Sequence, residues 1–153
     1  MIILNESVRR EIAKHAEATY PHECVGLLLG RIEGSQKIVE AVFAAQNSWT
    51  AEVGLTDSEQ DHSLRDRFYL EPRDYLRADK EARARGLDIV GCYHSHPDHP
   101  AVPSERDRVG AEGVGAGTLF SFLIQSVRDG TAAELTSWLL VDEGRRFIAE
   151  ELS

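Results

Sequence analysis

Cysteine is scarce: two in 153 residues, Cys24 and Cys92. That is too few for a disulfide framework, so the expected setting is the cytoplasm, with both thiols reduced. Long apolar runs are missing too. No segment reaches the ~18 unbroken apolar residues of a membrane-spanning helix. The start, Met1-Ile2-Ile3-Leu4-Asn5-Glu6, lacks the basic region and apolar stretch of a secretory signal. Positive charge is outnumbered, 17 Lys and Arg against 26 Asp and Glu, for a net −9. A nucleic-acid binder needs a basic footprint, so neither nucleic acid nor a membrane is the expected partner. No internal repeat stands out. The nucleophile elbow G-x-S-x-G is absent, although Ser95 and Cys92 lie near histidines. Deaminases of the zinc type pair H-x-E with a later P-C-x-x-C, a combination this chain does not contain.

What is present suits one globular domain over residues 1–153, with 42% apolar and 28% charged residues. Val8, Ile12 and Ala16 recur every four residues, which predicts a helix over 7–19, capped by Asn5 or Ser7 and stopped by Pro21. Val25 to Ile32 is apolar on consecutive positions, as in a strand covered on both faces. Lys37 to Asn47 reads as the next strand. Thr50 to Arg67 carries five acidic and two basic side chains and few large apolar ones. It is expected to be part of a flexible acidic loop over about 48–67. A short strand at 67–70 and a helix over 75–85 follow, the helix capped by Asp74 and ended at Gly86. Leu87 to Tyr93 reads as a strand running into two histidines.

After Asp107 a short helix to about Glu112 is expected. Gly110, Gly113, Gly115 and Gly117 should then break the chain. Leu119 to Val127 and Ala133 to Val141 form a hairpin about the turn Asp129-Gly130. Arg146 to Leu152 is an edge strand or a terminal helix. Helices and strands in this order predict an α/β (α+β) fold, a mixed sheet with helices packed against it.

The chemistry concentrates in His94-Ser95-His96-Pro97 and Ser104-Glu105-Arg106-Asp107. Histidines at i and i+2 share a face only on a strand, where side chains alternate. Pro97 ends that strand. Ser104 and Asp107 have the spacing of a capping box, which puts Asp107 in a first helical turn, where the helix dipole favours its ionised form. Two imidazoles and a carboxylate are a catalytic zinc's ligand set, with the fourth position left to water. Glu23 is a candidate general base. Ser104 is a candidate oxyanion donor as well as a helix cap. His22 and His99 are expected at the surface, and the two cysteines in the core.

These residues resemble the JAMM motif of the MPN (Mov34/PAD-1, JAB1) zinc metalloproteases. Pro21-x-Glu23-x-x-Gly26-x-Leu28-x-Gly30 resembles the opening signature of that family, and the likeness spans roughly residues 2–141. It implies a JAB1/MPN-like, cytidine-deaminase-like architecture. It also implies one Zn²⁺ per chain, held by His94, His96 and Asp107, with Glu23 and Ser104 catalytic. The implied activity is hydrolysis of the amide after the C-terminal Gly-Gly of a ubiquitin-like or sulfur-carrier protein. The alternative from another class is a non-catalytic MPN-type interaction module.

Overall fold

The computed structural model describes residues 1–47, 70–111 and 114–153. The acidic loop expected at about 48–67 lies outside them, as do all but Leu70 of the strand expected at 67–70. The elements are β1 Ile2–Leu4, α1 Glu6–Thr19, β2 Val25–Glu33, β3 Gln36–Ala45, α2 Pro72–Ala84, β4 Asp88–Pro97, α3 Glu105–Ala111, β5 Ser121–Arg128, β6 Thr131–Val141 and β7 Arg146–Glu150. Among the described residues the strands form one mixed sheet in the order β1-β3-β2-β4-β5-β6-β7. β1 runs parallel to β3 and β4 to β5; the other neighbours are antiparallel.

Helices cover both faces of the central strands, which is why β2 is apolar without alternation. α1 begins where the Asn5 side chain accepts from the Val8 N–H at 2.8 Å. Its buried stripe Val8, Ile12 and Ala16 packs with Leu28, Val39, Val90, Tyr93, Leu123 and Val127. On the opposite face Ala78 of α2 packs with Leu27, Cys92 and Phe122, and Ala82 with Leu29. Successive β2 leucines thus enter different cores. Each fully buried leucine contributes roughly 1.5–3 kcal/mol, enough to fix the strand's place in the sheet.

Several boundaries differ from the sequence reading. α2 starts at Pro72, with Glu71 at its N-cap and no side-chain cap bond. Proline's fixed φ and missing N–H suit the first helical position, so Asp74 sits inside the first turn rather than capping it. Gly110 lies within α3 and does not break the chain. β5 begins at Ser121, leaving Leu119 exposed before it. Arg146–Glu150 is a strand, which settles the open alternative.

β1 was not foreseen; three residues carry too little pattern to show a period. It matters because the sheet curls until its ends meet. Residues 151–153, running on from β7, bond to β1 through Ile2 N to Glu151 O (3.0 Å), Leu4 N to Ser153 O (2.9 Å) and Ser153 N to Ile2 O (2.9 Å). A buried ion pair crosses this seam. Lys37 Nζ lies 2.8 Å from Glu150 Oε2, the side chains 4% and 3% exposed. Lys37 also donates to the Thr118 carbonyl at 2.6 Å, and the Ser121 and Ser137 hydroxyls donate to Glu150 Oε1 at 2.6 and 2.8 Å. Burial pushes the Glu150 carboxyl up, but these donors and the Lys37 charge outweigh it and hold it below the usual glutamate range.

Candidate active site

Four side chains expected to act together do converge, from three elements. Glu23 stands just ahead of β2, His94 and His96 lie on the last half of β4, and Asp107 is in the first turn of α3. All four are buried. His94 Nε2 and His96 Nε2 are 3.1 Å apart. The Asp107 carboxylate spans the pair, Oδ1 at 3.2 Å from His94 Nε2 and Oδ2 at 3.0 Å from His96 Nε2. One ligand atom from each of Glu23, His94 and His96 lies within 4.8 Å of the others.

The backbone explains this meeting. Antiparallel pairing sets Val25 opposite His94. The Ser95 side chain leaves the strand on the face away from the histidines and accepts from the Cys24 N–H at 2.8 Å, while Ser95 N donates to the Cys24 carbonyl at 3.2 Å. This two-way clasp locks the Glu23 segment to β4. Asn47 adds a bond from Nδ2 to the Glu23 carbonyl at 2.9 Å. Ser95, weighed earlier only as a nucleophile, is fully buried and holds the strands in register. Two signature glycines are explained as well. A Cβ on Gly26 would stand 2.2 Å from the Tyr93 ring, and one on Gly30 2.1 Å from the Ile38 carbonyl oxygen.

The capping box forms as expected. Ser104 N donates to Asp107 Oδ2 at 2.9 Å and Asp107 N to Ser104 Oγ at 3.0 Å. Ser104 is exposed, and accepting that bond leaves its own hydroxyl hydrogen to donate elsewhere. His96 Nδ1 donates to the Pro100 carbonyl at 2.8 Å, which directs Nε2 toward the centre. The loop supplying that carbonyl is stapled. Asp98, at φ 59°, takes Tyr20 Oη–H on Oδ2 (2.6 Å) and Asp129 N–H on Oδ1 (2.9 Å), and the Ser126 hydroxyl donates to the His99 carbonyl at 2.6 Å.

Burial alone would raise the Asp107 carboxyl, but His94 and His96 outweigh it and hold it well below the usual carboxylate range. Burial lowers His96, and the Asp107 bond and charge, with the Pro100 carbonyl, more than reverse that. Both thiols are buried, as expected of core cysteines, and burial pushes Cys24 up to about 12 and raises Cys92 as well. His22 and His99 are exposed, as expected. The sequence reading missed Arg106. Burial lowers its guanidinium, whereas the charges of Asp107 and Glu23 raise it, which places it in the field of both carboxylates.

The donor set suits zinc. Ligand atoms ~2.0–2.2 Å from one ion at tetrahedral angles lie about 3.3–3.6 Å apart. The spacings of 3.0–3.2 Å among His94, His96 and Asp107 are close to that. Two carboxylates against imidazoles also leave a negative excess that a divalent cation would neutralise.

The family described as prokaryotic homologs of the JAB domain matches residues 5–141. A probable TtuB-protein conjugate cleaving protease of Thermus thermophilus is 32% identical over 104 residues, 68% of this chain and 56% of that one. The matched stretches make up 9% to 56% of the curated relatives' own lengths. A solution structure of a Desulfitobacterium hafniense protein is 31% identical, with a TM-score of 0.79, over 100% of this chain and 92% of that one. A JAB1/MPN domain protein of Archaeoglobus fulgidus shares the fold at 16% identity and a TM-score of 0.54, over 99% of this chain and 97% of that one.

Proposed function

Because the chain belongs to the prokaryotic homologs of the JAB domain, we propose that it is a zinc-dependent peptidase or isopeptidase. Its substrate in this reading is a conjugate of a ubiquitin-like or sulfur-carrier protein, cut at the amide after the carrier's C-terminal Gly-Gly. Residues 1–153 act as one catalytic domain. The observation that carries the reading is the buried meeting of Glu23, His94, His96 and Asp107. The substrate class draws on the Thermus relative, named for cleaving TtuB–protein conjugates.

His94, His96 and Asp107 would hold the metal. When bound, zinc supplies a water acidic enough to attack near neutral pH and polarises the scissile carbonyl. Glu23 takes the proton of the attacking water and returns it to the leaving amine nitrogen, acting as base and then acid. Ser104 donates its hydroxyl hydrogen to the oxygen on which negative charge grows. His96 is kept in the ligating tautomer by Pro100. Ser95 keeps the Glu23 segment against β4, so that base and ligands stay in one frame.

The test is hydrolysis of a carrier–peptide conjugate alongside metal analysis. Zinc at one per chain, with activity lost on chelation and restored by zinc, is expected. Activity indifferent to a strong chelator would overturn the reading. Zinc held by four protein ligands with no turnover would point to the interaction module.

A further inference from the structure

A second feature opens beside this site. A groove of about 310 Å³ is lined by Ser104, Arg108, Trp138, Arg145, Arg146 and Phe147, among others. Three arginines and one glutamate give its lining a net charge of 3 − 1 = +2, on a chain whose net charge is −9. The β6–β7 turn delivers two of those arginines. Asp142, Glu143 and Gly144 all take positive φ, of 54°, 57° and 84°, and Arg145 and Arg146 follow at once. Arg145 has no ion pair among the described residues. Arg108 is held by both oxygens of Glu105 and by the Gly144 carbonyl at 2.9 Å, whereas Arg146 meets Asp142 in an exposed pair that is weak and exchangeable.

The groove is built rather than incidental. Trp138 Nε1 donates to Thr136 Oγ1 at 2.8 Å, and the Thr136 hydroxyl donates to the Ala101 carbonyl at 2.7 Å, which fixes the indole as a floor. It is also continuous with the chemistry. Pro103 and Phe147 line both this groove and the small cavity bounded by His94 and Asp107.

We propose that the groove is a subsite for an acidic segment of the polypeptide whose amide is cut. Carboxylate side chains of the substrate pair with Arg145 and Arg146, and the apolar parts of the segment rest on Trp138 and Phe147. This rests on the hydrolase reading for the direction of the chain through the site, but binding itself does not require turnover. Because Arg145 offers its charge and Arg146 exchanges one carboxylate for another, the subsite selects for charge more than for sequence.

Trp138 supplies the readout. In a Trp49→Phe background the remaining tryptophan reports on the groove. The probe is an acetylated hexapeptide of alternating Glu and Asp, compared with the matching Gln and Asn peptide. The acidic peptide should shift the emission saturably, and the neutral one should not. Arg145→Glu with Arg146→Glu should weaken the acidic peptide about tenfold or more, and added salt should weaken it too. Arg145→Gln with Arg146→Gln is the milder pair should the first unfold. In turnover, either pair should raise KM for an acidic conjugate with kcat unchanged. Equal binding of the two peptides, or affinity indifferent to both double variants, would overturn the subsite. Peptide binding without turnover of any conjugate would leave the subsite standing and sink the hydrolase.

Discussion

Two buried polar clusters in this small protein are built on opposite principles. At the seam of the sheet, Lys37 and Glu150 cancel one another, and the hydroxyls of Ser121 and Ser137 and the Thr118 carbonyl complete their bonds. At the end of β4, Glu23 and Asp107 bring two carboxylates to two imidazoles, with Arg106 the nearby cation. The first cluster is finished, its carboxylate answered by Lys37 and, at 3.6 Å, by the Met1 ammonium, as a buried charge must be to repay desolvation. The second is left with an excess of donors turned to one point. The difference separates a cluster closed on itself from one whose ligand atoms could hold a cation.

The sharpest way to test that contrast is Glu23→Gln. On the proposed assignment of Glu23 as proton carrier, turnover should fall about 10²- to 10⁴-fold with zinc content retained; loss of zinc as well would make Glu23 a ligand. The melting temperature of the metal-free variant should stay at or above that of the parent. Next in size, Lys37→Met should destabilise the fold by about 3–5 kcal/mol in urea unfolding by stranding Glu150, with zinc affinity untouched. If Lys37→Met abolished zinc binding in protein that remains folded, the two clusters would not be independent.

Acid should separate them again, more gently. Glu150 titrates lower in the folded chain than in the unfolded one, where its pKa is about 4.3. Its contribution is therefore present above pH ~4.3 and is lost as pH falls through the depressed folded value. The urea midpoint should drop more steeply below that range in the parent than in Glu150→Gln; equal slopes would dismiss the seam's role. Smallest is Asp98→Ala, which frees the Tyr20 hydroxyl and the Asp129 N–H. It should cost about 1 kcal/mol and weaken zinc by up to roughly tenfold through the loosened Pro100 carbonyl. An isothermal titration with zinc checks the second figure.

The finished cluster was the less legible of the two. Lys37 and Glu150 are brought together by strand order, and nothing local in either segment announces the other. β1 and the pairing of residues 151–153 were hidden for the same reason. The candidate site was more open to reading because its parts obey short-range rules. His94 and His96 share a face by strand alternation, and Ser104 with Asp107 makes a local capping box. Of the two caps open for α1, Asn5 and Ser7, it is Asn5 that forms the bond. Glu23 was a candidate base on its chemistry and gained support from the Gly26-x-Leu28-x-Gly30 context, to which the packing of Gly26 under Tyr93 and of Gly30 on Ile38 gives a physical cause. Ser95 and Arg106 escaped because their importance lies in what stands across from them.

The clasp between Ser95 and Cys24 has a consequence for how such a chain can change over generations. A one-residue insertion or deletion between Gly91 and Tyr93 would turn Tyr93 and Ser95 toward the carboxylates and bury the imidazoles under α1, with hydrophobicity scarcely altered. Length changes there must come in pairs, or fall in the loops, if offspring sequences are to remain competent.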